Sequence, residues 1–129
     1  MIQHIANPLA GPGALKLPYS PGVRAGEFLF VSGQLGIDAE GKPVAPDVGG
    51  QARECIAKLR KVLQLAGADL ERVVKCNVWI TDPADFAEFN KVYRELMPAQ
   101  PPARSTVVSG LVIPGTKIEI DAIAFLGKS

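Results

Sequence analysis

Apolar positions recur along the chain with two different periods, and the switches between them divide it into elements. Phe28-Leu29-Phe30-Val31-Ser32-Gly33 is an uninterrupted run, apolar on both sides of a two-residue period, and predicts a core strand. From Val48 the spacing becomes helical. Val48, Ala52, Cys55, Ile56, Leu59, Val62, Leu63 and Ala66 form one stripe, while Arg53, Glu54, Arg60, Lys61 and Gln64 occupy the other side. A helix over about 48–66 should stop at Gly67, which takes a left-handed conformation without a Cβ clash. Residues 73–81 alternate again, with Val74, Cys76, Val78 and Ile80 on one face and Lys75, Asn77 and Trp79 on the other. Asp82-Pro83 reads as the start of a second helix, a capping carboxylate followed by a proline suited to the first turn. Phe86, Phe89, Val92, Tyr93 and Leu96 are its expected buried stripe, and Pro98 to Pro102 ends it. Two further strands are predicted over 103–109 and 117–125. Before residue 26, Gly11-Pro12-Gly13 and Ser20-Pro21-Gly22 mark turns between short strands near Ile2 to Ile5 and Tyr19 to Arg24, and residues 38–46 form a polar loop.

The resulting order is strand, helix, strand, helix, strand, strand after an N-terminal β segment. It predicts one α+β domain spanning residues 1–129, a sheet sandwiched against two helices. Two helices cover only one face. Leu29, Val31, Val107, Ile123 and Phe125, with their neighbours, supply apolar side chains for the other, and such an uncovered surface drives association. An oligomer is expected on that ground, of a symmetry this reasoning does not give.

Composition narrows the chemistry. At 129 residues and 47% hydrophobic content, the chain can build a core without disulfides. Cys55 and Cys76 fall in apolar patterns and read as buried free thiols in a reducing, cytoplasmic compartment. The N-terminal residues lack the basic head and apolar run of a signal peptide, and no apolar stretch is long enough to span a bilayer. Fourteen Lys and Arg against thirteen Asp and Glu argue against a dedicated nucleic-acid binder. A single histidine, His4, makes a Ser-His-Asp triad or a His-rich metal site improbable, and Gly11-Pro12-Gly13 lacks the Lys-Ser/Thr ending of a phosphate loop. Neither a metal nor a cofactor is therefore expected. Chemistry falls to Arg, Glu, Tyr, Ser, Thr, backbone groups and water.

Arg104 opens a strand of small and apolar residues. By residue type it reads as a strand-end arginine reaching solvent or pairing with an acid; alternatively its planar fork presents to a carboxylate. Thr106 shares its face. Glu119 sits in Lys117-Ile118-Glu119-Ile120-Asp121, where simple alternation turns the charges outward. Ser32, Asn90 and Tyr19 read as a strand-end hydroxyl, an amide flanking a helix stripe and a loop anchor.

Taken together, Pro18-Tyr19-Ser20, Val31-Ser32-Gly33-Gln34, Ala66-Gly67-Ala68, Val73-Val74-Lys75, Thr81-Asp82, Asp85-Phe86-Ala87, Asn90 with Tyr93, Pro102-Ala103-Arg104-Ser105 and Ile118-Glu119-Ile120 with Ala122 resemble the reactive intermediate deaminase (RidA, YjgF-like) family. The resemblance spans nearly the whole chain. It implies a chorismate-mutase-like fold in barrel-like homotrimers, with strand 117–125 inserted between the Phe28 and Val73 strands and sites in clefts between subunits. It implies hydrolysis of 2-aminoacrylate and related enamine or imine acids, the products of pyridoxal-phosphate enzymes, to 2-keto acids and ammonia. By position, Arg104 binds the substrate carboxylate, Glu119 holds or activates water, and Tyr19, Ser32, Gly33, Asn90 and Thr106 line the pocket. Thr106 stands where some members carry cysteine, a difference that tunes shape or substrate range. Other activities on the same scaffold stay open: a pathway-specific deaminase of the 2-aminomuconate type, a binding or holdase role, or RNA cleavage.

Overall fold

A computed structural model describes residues 1–6 and 17–128. Its six strands form one sheet: β1 (Ile2–Ile5), β2 (Gly22–Ala25), β3 (Phe28–Leu35), β4 (Val73–Ile80), β5 (Ala103–Val108) and β6 (Ile118–Phe125), in the order β1-β2-β3-β6-β4-β5. Only β4 and β5 run parallel. The last strand thus lies in the middle, between β3 and β4, and residues 109–117 cross from the sheet edge back to its centre. The α+β reading holds, with α1 (Val48–Leu65) and α2 (Phe86–Leu96) on one face. The predicted turn at Gly11-Pro12-Gly13 lies outside the described residues.

The helical stripe of α1 is buried as its spacing predicts, with Ala66 at its edge. Asp47 accepts a hydrogen bond from the Gly50 N–H and caps the first turn. Gly67, at φ 79°, terminates the helix. Asp82 does cap, but it heads a 3-10 turn over Pro83–Asp85, and α2 begins only at Phe86. On α2, Phe89, Val92 and Tyr93 are buried, whereas Phe86 and Leu96 are 41% and 36% exposed. They flank the narrow contact stripe of a helix that lies on the sheet's margin.

Two face assignments change. Leu29 and Val31 pair with Ala124 and Ala122 and point into the helix-covered core; Phe28 and Phe30, at 43% and 47% exposure, hold the open face instead. Ile123, Phe125 and Val107 stand there with them, and Phe28 and Phe125 pack with centroids 5.3 Å apart. In β4 the ladder to β6 shifts between Val73 and Lys75, so Val73 is buried and Val74 is exposed. A run apolar on both sides contains no alternation to tell inside from outside; pairing partners decide it.

Gln51, fully buried near the start of α1, ties the crossing connection to the core. Its Nε2 donates to the Ala45 and Gly115 carbonyls at 3.0 and 3.1 Å, and its Oε1 accepts from the Lys117 N–H at 2.7 Å. Gln51→Ala would remove three hydrogen bonds to part-buried backbone of the segments on either side of α1. A loss of about 2–4 kcal/mol in unfolding free energy is expected from urea titration. A midpoint within error of wild type would show that water replaces the amide without cost.

Candidate functional site

The candidate residues divide between the two faces of the sheet. Arg104 pairs with Cys76 and Thr106 with Val78, and both Cys76 and Val78 point into the helix layer. Arg104 and Thr106 therefore project beneath α2. Glu119 pairs with Trp79, on the open face. Within one chain the proposed anion anchor and the proposed base stand back to back.

On the helix side, the Arg104 guanidinium lies 4.8, 5.0 and 5.7 Å from the ring centroids of Tyr93, Phe89 and Phe86. Aromatic faces attract a cation by about 0.5–2 kcal/mol each, more as water is excluded. They supply no counter-charge. Among the described residues no carboxylate pairs with Arg104, so its N–H fork remains uncommitted and its charge unneutralised. Of the partners considered from the sequence, a carboxylate of the same chain is absent among the described residues. The Thr106 Oγ1 and Tyr93 hydroxyl are buried close by without a hydrogen-bond partner of good geometry. The Tyr93 hydroxyl adjoins the Cys76 thiol, and burial foremost pushes the pKa of both upward. Both stay neutral near pH 7.

Asn90, Tyr93 and Arg94 follow at helical spacing on one stripe of α2, and Met97 comes just after its end. With Pro98, Ala99, Pro101, Pro102 and Arg104 they line a groove of about 360 Å³. The proline-rich segment after α2 cannot continue the helix and forms the opposite wall.

On the open face, β3 bulges. Its register to β6 shifts between Val31 and Gln34, so Ser32 and Gly33 together oppose Asp121. A Cβ on Gly33 would collide with the Glu119 carboxylate; glycine here gives that side chain its place. Ser32 is fastened by two bonds, its Oγ donating to the Ser20 carbonyl at 2.6 Å and its N–H to the Pro21 carbonyl at 2.9 Å. Those contacts seat the segment carrying Tyr19, whose side chain is 59% exposed. His4, set aside on sequence grounds, comes within 3.1 Å of the Ser20 Oγ through Nδ1.

Glu119 is half-buried. Burial foremost, then the Asp121 carboxylate on the same face, raises its pKa above the ordinary glutamate value. Asp121 is held by the Asn77 N–H at 2.9 Å and, at 3.4 Å, by the Asn77 side-chain amide. Sequence reasoning had not singled out Asp121, Tyr93 or Arg94 for a site. The i+2 spacing from Glu119 and the i+3 and i+4 spacings from Asn90 were the signals present.

Comparison with known proteins matches the chain to one family. The family profile described as Endoribonuclease L-PSP aligns with residues 12–126. The mitochondrial protein mmf1 of Schizosaccharomyces pombe is 42% identical over 110 residues, 83% of this chain and 67% of that protein. The RutC family protein y4sK of Sinorhizobium fredii is 40% identical over 116 residues, covering 89% and 91% of the two chains. Among solved structures, RidA from the Antarctic bacterium Psychrobacter sp. PAMC 21119 superposes with a TM-score of 0.78 at 32% identity, over 96% of this chain and 97% of that one. No helix among the described residues is long and apolar enough to cross a membrane.

Proposed function

The chain belongs to the Endoribonuclease L-PSP family, with relatives among the RutC and RidA proteins, and from that premise we propose that it is a cofactor-independent deaminase of enamine and imine acids such as 2-aminoacrylate. The observation that carries this reading is the uncommitted guanidinium of Arg104, held by three rings with no acid partner among the described residues. Such a group lacks only a planar anion, and a 2-imino acid brings one beside its reacting carbon.

Because Arg104 and Glu119 occupy opposite faces, the working site forms between copies. The α2–β5 margin of one chain meets the open face of the next, and in doing so covers Phe28, Phe30 and Val107. A homotrimer, the arrangement the family resemblance implies, closes these contacts in a ring. Arg104 fixes the carboxylate. Thr106, Asn90, Tyr19, Ser32 and Gly33 border the substrate.

The enamine first tautomerises to the imine, whose protonation makes its carbon electrophilic. Glu119 takes a proton from water as the water oxygen bonds to that carbon. The carbinolamine then collapses: Glu119 returns its proton to nitrogen, the C–N bond breaks as the C=O bond forms, and the hydroxyl proton passes to solvent, balancing the one taken up by the imine, so that 2-keto acid and ammonia leave. General-base assistance of this kind contributes about 10²–10⁴-fold. The natural suppliers are pyridoxal-phosphate enzymes that release such enamines, in the cytosol or, as for the S. pombe relative, the mitochondrion. Near-balanced charge weighs against RNA, whose phosphates call for a positive field.

The test couples a pyridoxal-phosphate serine dehydratase to the protein and times pyruvate release. Pyruvate should appear faster than by spontaneous hydrolysis; no acceleration would sink the proposal. Coexpressing Arg104→Ala with Glu119→Gln then tests the shared site. About a quarter of wild-type activity should return, the statistical share of interfaces joining an intact Arg104 to an intact Glu119. No recovery would mean that both residues act from a single chain.

A further inference from the structure

Resting on the deaminase reading, we propose that Arg94 makes the groove beneath α2 a site for dicarboxylic imino acids. Arg104 takes the carboxylate next to the imine and Arg94 takes a second carboxylate at the far end of the side chain.

Two arginines and no acid line this groove. Arg104 rises from β5 at its inner wall, while Arg94 lies on the α2 stripe, one residue after Tyr93 and four after Asn90. Neither has a carboxylate partner among the described residues; the ion pairs present there join Arg53 to Glu95 and Arg60 to Asp69. The neighbouring Glu95, which could have neutralised the helix surface locally, is thus engaged elsewhere. The remaining lining is mostly apolar: Met97, Pro98, Ala99, Pro101 and Pro102. Low-polarity walls strengthen the field of the half-buried Arg104 and suit a short methylene spacer, while Arg94 stands exposed at the outer end. The chemistry that complements two guanidinia across such a wall is a small molecule with an anion at each end. A three-carbon acid engages only the first, and about 360 Å³ leaves room for more. The Asn90 amide, on the same stripe, adds a donor and an acceptor to the groove lining.

The distal contact is partly exposed, so its contribution corresponds to about fivefold in specificity and declines with salt. Imines are generated in situ by amino-acid oxidases from alanine and from glutamate, and kcat/KM is compared for the monocarboxylic and dicarboxylic products. The wild type should favour the dicarboxylate. Arg94→Gln should lower the ratio of the two specificities by about fivefold, and Arg94→Lys should restore part of it. A ratio unmoved by Arg94→Gln would overturn the assignment. If neither imine is hydrolysed, the deaminase reading fails and calorimetry decides the groove separately. Glutarate should bind more tightly than butyrate, with the difference abolished in Arg94→Gln; equal affinities in the wild type would overturn the proposal.

Discussion

Arg104→Ala is expected to lower kcat/KM for 2-aminoacrylate hydrolysis by about 10²–10³-fold while the fold survives. The fold-change corresponds to loss of a bidentate, charge-assisted contact in a partly desolvated site, worth about 2–5 kcal/mol. Survival follows from the same geometry that leaves the arginine uncommitted. No buried carboxylate is orphaned when the guanidinium goes, since Phe86, Phe89 and Tyr93 are its contacts. The cost to stability is therefore the cation–π attraction of three rings and some packing, about 2–4 kcal/mol. Arg104→Lys should recover little, because a point charge cannot reproduce the planar fork. Progress curves of keto-acid release, beside thermal melts of each variant, separate the two effects. A fully active Arg104→Ala protein would remove the anchor from the mechanism.

Glu119→Gln should cost about 10²–10⁴-fold in kcat, the usual worth of a general base, with a smaller effect on KM because the amide keeps the shape. Its pH signature is more diagnostic. A base works deprotonated, so activity falls as pH drops through its pKa. Burial first and Asp121 second raise that pKa, so the acid limb of kcat/KM should lie above the ordinary glutamate range. Asp121→Asn removes the repelling charge and should move the limb downward. If Arg104 of a neighbouring copy faces Glu119 as proposed, Arg104→Ala removes that cation and should move the limb upward in whatever activity remains. In Glu119→Gln the limb should vanish. A limb that persists there belongs to another group and would transfer the role of base away from Glu119.

The elements with strong local periodicity were legible before any coordinates. The α1 stripe from Val48 to Leu63, its Gly67 terminus and the alternation of Cys76, Val78 and Ile80 all stand as read. Periodicity is a property of near neighbours, and these elements bury one regular face. The readings that changed concern partners distant in sequence. Whether Leu29 or Phe30 faces the core depends on pairing with Ala124 and Ile123, almost a hundred residues later. Val73 replaces Val74 inside because the ladder to β6 slips.

The candidate site divides in the same way. Residue type and the family resemblance singled out Arg104 and Glu119, and no spacing rule could say whether a strand-end arginine meets an acid, water or rings. Burial beneath α2 settles that: the three rings on one side of that helix arrive over β5 and bring no carboxylate. Helices, strand lengths and the small set of chemically competent side chains follow from local pattern, because hydrogen bonding and side-chain period act over a few residues. The insertion of β6 between β3 and β4, the bulge that seats Glu119 beside Gly33, and the separation of the two charged groups onto opposite faces depend on contacts between remote segments. Those contacts exist only once the sheet has closed over its core.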